Sequence, residues 1–120
     1  MKIAVSGANN SELLEKVESH YGVESVNATG NFYESAKVTY EYDDAKNVVY
    51  YGCVLDYVVN EEDIHPFDEQ VILCALDNLD RVYVYTQNMT PEDISKYHQF
   101  DEFYKRKVID VADVDAFDIQ

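Results

Sequence analysis

Apolar residues first crowd into residues 2–6, a short run that stops at Gly7-Ala8-Asn9-Asn10. Leu13, Leu14, Val17 and Tyr21 then recur at helical spacing, so the opening reads as strand, turn, helix. Residues 23–27 follow Gly22 as a second β-like stretch. After Thr29-Gly30, the positions Phe32, Tyr33, Ala36 and Tyr40 show the helical step again. The polar connection Asp43-Asp44-Ala45-Lys46 leads into residues 47–51, a β-branched and aromatic run closed by Gly52. That run predicts a buried strand in mid-sheet.

Beyond the apolar residues 54–59 lies the acidic turn Glu61-Glu62-Asp63. Pro66 opens a helical stretch with Phe67, Val71, Leu73, Cys74 and Leu76 as candidate core positions. Residues 81–86 read as a strand. Thr90-Pro91-Glu92-Asp93 has the form of an N-cap followed by Pro at the first helical position, starting a helix that carries Ile94, Tyr97, Phe100 and Phe103. Residues 107–111 form a last strand. Strands alternating with helices require crossover connections, which predicts an α/β fold: three layers, a mainly parallel sheet with helices on both faces.

Composition narrows the class. A chain of 120 residues that is 47 % hydrophobic supports one globular domain, residues 1–120, ending in an acidic tail over about 112–120. Against 24 Asp and Glu stand 9 Lys and Arg, a formal charge of −15. Nonspecific nucleic-acid affinity comes from Lys and Arg displacing counterions, so direct binding to nucleic acid or to an anionic membrane is not expected. No apolar run approaches the roughly 18 residues of a membrane span, and residues 1–7 are too short for a signal-peptide core. Cys53 and Cys74 lie in apolar stretches outside any metal-ligand spacing and read as buried thiols of a cytoplasmic protein.

The opening Met1-Lys2-Ile3-Ala4-Val5-Ser6-Gly7, followed by a polar loop and an amphipathic helix, has the layout of a phosphate-binding loop. It resembles the first strand of small P-loop nucleoside and nucleotide kinases and related AAA-type ATPases, of the kind common in phage genomes. Residues 48–57 resemble those kinases' strand-then-turn segment, and Leu79-Asp80-Arg81-Val82-Tyr83-Val84-Tyr85 sits where they place the strand leading to the lid. The resemblance covers residues 1–110 and implies a reduced P-loop-kinase-like fold.

The positions that would do the chemistry have changed. GxxxxGK[ST] counted from Gly7 requires Gly, Lys and Ser or Thr where this chain has Glu12, Leu13 and Leu14. The missing lysine would hold the β and γ phosphates and the missing hydroxyl would hold Mg²⁺. Tyr51-Gly52 replaces the kinases' Asp-Arg, leaving Asp56 and Tyr57 as the surviving matches, and Lys96 is the one Lys or Arg between Arg81 and Lys105. The resemblance therefore implies a kinase-like chain with no catalytic and no cofactor-binding residues.

Other chemistry is weaker still. Asn9 with Glu12 three residues later reads as a helix N-cap with an acidic first turn. His20, His65 and His98 are scattered without ligand spacing, and Ser6, Ser11 and Ser19 lack a nucleophile-elbow context. Asp43-Asp44 and Glu61-Glu62-Asp63 lack EF-hand spacing, so no metal site is assigned.

The acidic residues themselves carry the remaining signal. Residues 41–102 hold 15 acidic and 3 basic side chains. One reading is a solvated, solubilising face. The sharper reading is a set of spaced carboxylates that imitates nucleic-acid phosphates and occupies the basic groove of a nucleic-acid-binding protein. Its expected contacts are Glu41, Asp43, Asp44, Glu61, Glu62, Asp63, Glu92, Asp93, Asp101 and Glu102, with Tyr40 and Tyr42 as interface anchors and Tyr97 and Tyr104 next. The expected function is that of a non-catalytic acidic regulator or inhibitor whose partner is a basic protein. A divergent nucleotide-binding enzyme that meets phosphate with the amides of residues 7–12 is the alternative, and a homodimeric accessory protein is a third.

Overall fold

A computed structural model of the chain describes residues 1–28, 47–51, 77, 79–98 and 108–119. Its elements are β1 (Lys2–Ser6), α1 (Ser11–Tyr21), β2 (Val26–Asn27), β3 (Val48–Tyr51), β4 (Arg81–Tyr85), α2 (Pro91–His98) and β5 (Val108–Val111). The expected helices at 32–40 and 66–76, and the stretch 54–59, lie outside the described residues.

The strands form one sheet in the order β2-β3-β1-β4-β5, and every pairing is parallel. The molecule is an α/β protein. Ile3 pairs with Val49 on one side and Arg81 on the other, and Val5 pairs with Tyr51 and Tyr83, so β1 is the central strand. β3 lies inside the sheet between β2 and β1, as its β-branched and aromatic run predicts.

Position in the sheet explains burial. Strands covered on both faces are apolar throughout. β1 runs Ile3, Ala4, Val5, Ser6 without an accessible residue, and Val48, Val49 and Tyr50 of β3 and Val82, Tyr83 and Val84 of β4 are buried with it. Alternate residues separate the two faces. Ile3, Val5, Val49, Tyr83, Tyr85 and Val111 form one cluster with Leu13 and Val17, the inward stripe of α1. Ala4, Ser6, Tyr50, Val82 and Val84 alternate with them along the strands and are equally buried.

The ends of α1 show how local chemistry stops a helix and how it starts one differently from expectation. Gly22 terminates α1 in the left-handed conformation, φ 67°, and its N–H bonds the Glu18 carbonyl at 2.8 Å. At the other end the N-cap is Asn10, not Asn9, and the Asn10 side chain makes no capping bond. Asn9 instead takes a left-handed φ of 54°, a conformation that Asn tolerates better than most residues, and so turns the loop rather than capping it. Glu12 does occupy the first turn. α2 starts as predicted, with Thr90 Oγ1 accepting the Asp93 N–H at 3.2 Å. Its Tyr97 is buried.

Candidate functional site

Strand order locates the place where a ligand would sit. After β1 the chain moves to the β3 and β2 side of the sheet, whereas β5 follows β4 on the opposite side. Connections that diverge in this way open a crevice outside the carboxyl ends of the strands.

In this protein the crevice between β1 and β4 is filled by backbone. Gly7, directly after β1, has φ 103°, and a Cβ placed on it would stand 2.6 Å from the Tyr85 carbonyl oxygen and 3.2 Å from the Met89 methyl carbon. Only glycine permits that approach. The open space lies beside it, as a cleft of about 430 Å³ lined by Glu12, Tyr85, Gln87, Ala112, Asp113, Val114 and Asp115. Three structural units build it: the first turn of α1, the end of β4 with the residue after Thr86, and the chain leaving β5.

The cleft is acidic. Among the described residues Glu12, Asp113 and Asp115 are its charged lining residues, and no described Lys, Arg or His lines it. The Tyr85 hydroxyl donates to the Gln87 side-chain carbonyl, which orients one neutral wall. Asp113 Oδ1 accepts the Asp115 N–H at 3.0 Å and the Ala116 N–H at 3.4 Å, so this carboxylate also holds the turn that follows β5. Carboxylates around a concave surface attract cationic groups and repel phosphate. Among the described residues no group of three or more His, Cys, Asp or Glu is arranged to hold a metal ion. No helix among the described residues is long and apolar enough to cross a membrane.

No family model matches the chain, and neither a curated protein nor a solved structure matches it.

Of the residues expected to meet a partner, Glu92, Asp93 and Tyr97 are described. Tyr97, expected as a further anchor, is instead buried, because its position on α2 faces the core. Glu92 and Asp93 sit in the first turn of α2, Glu92 exposed and Asp93 half-buried. Neither lines the cleft. Tyr40, Glu41, Tyr42, Asp43, Asp44, Glu61, Glu62, Asp63, Asp101 and Glu102 lie outside the described residues, as do Asp56, Tyr57, Tyr104, His65, Cys53 and Cys74. His98 bonds Asp110 at 2.8 Å on the surface, and His20 stacks edge-on against Tyr21 in the last turn of α1. Ser6 is fully buried, while Ser11 and Ser19 are exposed on α1. Asp113 and Asp115 were legible only as part of an acidic tail. The tail's return to the first turn of α1 is a tertiary event with no local sequence signal.

Proposed function

We propose that this chain is a non-catalytic acidic regulator or inhibitor that binds a basic protein. Its fold is read as a reduced P-loop-kinase-like one whose nucleotide chemistry is lost. One observation carries the reading. Glu12 occupies the first turn after β1, where a phosphate-binding loop would present amides and a lysine, and it shares a cleft with Asp113 and Asp115. Among the described residues of the lining a triphosphate entering there would meet three carboxylates and no cationic side chain, which opposes the electrostatic stabilisation phosphoryl transfer needs. The net charge of −15 adds a long-range attraction for a basic surface.

The leading class of partner is a nucleic-acid-binding protein, with the carboxylates standing in for phosphates. Such an encounter is fast and weakened by salt. The test is capture of partners from a bacterial lysate on the tagged protein, elution with rising salt, and competition with DNA or RNA. Release of a nucleic-acid-binding protein at intermediate salt, and its displacement by nucleic acid, is the expected result. Retention of nothing at low salt overturns the proposal.

The position of the cleft at the carboxyl ends of a parallel sheet favours one other reading, a divergent nucleotide-binding enzyme. A ligand that binds the native state raises its stability. A rise of several degrees in the unfolding midpoint with Mg-ATP or a deoxynucleotide would replace the first proposal with this one.

A further inference from the structure

Residues 112–119 contain neither helix nor strand. Even so, Val114, Phe117 and Ile119 pack against the same buried cluster that α1 covers. The Phe117 ring meets Tyr83 of β4 edge-to-face, centroids 5.2 Å apart and planes at 72°. The segment therefore lies as a strap beside α1, where its apolar side chains take part in covering the sheet.

Side chains hold both ends of the strap's turn. Asp113 receives the N–H groups of Asp115 and Ala116 at the start. Lys16 of α1 receives the other end: its Nζ donates to the Val114 carbonyl at 2.6 Å and to the Phe117 carbonyl, and stands 5.7 Å from the centroid of the Phe117 ring. An anion at the amide end and a cation at the carbonyl end both complement the turn's dipole. Lys16 is thus the clasp between the strap and the body.

The remaining charges oppose closure. The strap brings exposed Asp113 and Asp115 to the cleft that exposed Glu12 of α1 also lines, and Lys16 is that helix's one Lys or Arg. Apolar contact and the clasp pull the strap in, while like charge pushes it out.

We propose that residues 112–119 open and close as a unit, with closure set by the ionic strength around the protein. The direction is unusual. Screening shortens the reach of charge from about 30 Å at 0.01 M salt to about 3 Å at 1 M, so it weakens the repulsion between the solvent-exposed carboxylates. The clasp lies against carbonyls and a ring and loses less. Added salt therefore closes the strap, whereas it weakens an ordinary surface ion pair. Ala112, Asp113, Val114 and Asp115 form one wall of the acidic cleft, so opening dismantles the cleft. The inference rests on the strap's own packing and charge, and holds whether or not the cleft meets a partner.

Amide hydrogen exchange on the full chain, read by mass spectrometry, tests it. Peptides from residues 112–119 are compared with β1, which reports global opening. At about 10 mM salt the strap exchanges well ahead of β1, and raising salt to about 0.5 M slows the strap about tenfold relative to β1. Lys16→Met speeds strap exchange about tenfold at both salt levels and leaves β1 unchanged, and Lys16→Arg restores much of the protection. Strap amides that exchange in step with β1 would make the segment a fixed part of the core and end the proposal. So would a strap unprotected in the unsubstituted protein, or one whose protection ignores both salt and Lys16.

Discussion

The two ends of the sheet use charge in opposite ways. At the amino end the described polar contacts tie the strands to their neighbours and to α1. The Lys2 N–H donates to Asp80 Oδ2 at 2.7 Å while the Asp80 N–H returns a bond to the Lys2 carbonyl at 2.7 Å, lashing β1 to the entry of β4. The terminal ammonium reaches Asn47 Oδ1 at 3.3 Å, and the Met1 carbonyl accepts the Val48 N–H at 2.9 Å, which fixes β3. Arg81 donates to the Tyr83 hydroxyl at 3.3 Å, with Tyr21 of α1 in the same group. At the carboxyl end, Glu12, Asp113 and Asp115 share a cleft that no described basic residue lines. Charge that satisfies backbone and neighbours serves stability, and charge left facing its own sign is available to something outside the chain.

The largest test of this contrast falls on Gly7. Gly7→Ala forces a Cβ against a carbonyl oxygen in a left-handed backbone, and the expected loss is about 3 kcal/mol or more, read by denaturant unfolding. A near-neutral result would mean that the loop moves away from Tyr85 and that the crevice between β1 and β4 can open.

Asp80 comes next. Asp80→Ala removes a charge-assisted bond to a backbone N–H, and the expected cost is about 1 kcal/mol because the site is exposed. The matching experiment at the other end has the opposite sign. Glu12→Gln combined with Asp115→Asn, both isosteric, should stabilise the protein by about 0.5 kcal/mol at low salt, with the gain fading as salt rises. The same pair should move partner elution to lower salt. If both ends lose stability alike, the division between them fails.

The smallest effect concerns Tyr21. Burial, then the neighbouring Tyr83, raise its pKa above the ordinary tyrosine value, while Arg81 pulls it down less strongly. A raised pKa in the folded state means that the native protein holds the proton longer. Its stabilising contribution is whole below the unfolded value of about 10 and falls as pH climbs from there through the folded value. Tyr21→Phe should therefore flatten part of the alkaline loss in thermal midpoint above about pH 10 and change little at neutrality. An unchanged alkaline slope would remove Tyr21 from the amino-end group.

Much of the sheet was legible in the chain. Residues 2–6 matched β1, and the runs at 47–51, 81–86 and 107–111 contain β3, β4 and β5 to within a residue at each end. Those segments are buried, so their apolar and β-branched composition is itself the signal. The run at 23–27 shrank to Val26–Asn27, the two residues that pair with Tyr50 and Tyr51 of β3. The helix start was misplaced by one residue because Asn9 and Asn10 have the same side chain, and only the backbone shows which of them turns and which begins the helix.

By itself the sequence determined an alternation of short buried strands and amphipathic helices, an excess of carboxylates, and the absence of Lys and of Ser or Thr where a phosphate loop needs them. Each of these is local, because periodicity, charge and residue type are read within a few positions. The tertiary structure decided the strand order, the contact of Gly7 with Tyr85, and the meeting of Glu12 with Asp113 and Asp115 across about a hundred residues of chain. It also turned an acidic tail into a strap, because Phe117 finds Tyr83 and Lys16 finds two carbonyls only after β4, β5 and α1 have come together. Contacts between distant segments depend on the shape of the assembled sheet, and no short window of sequence contains that shape.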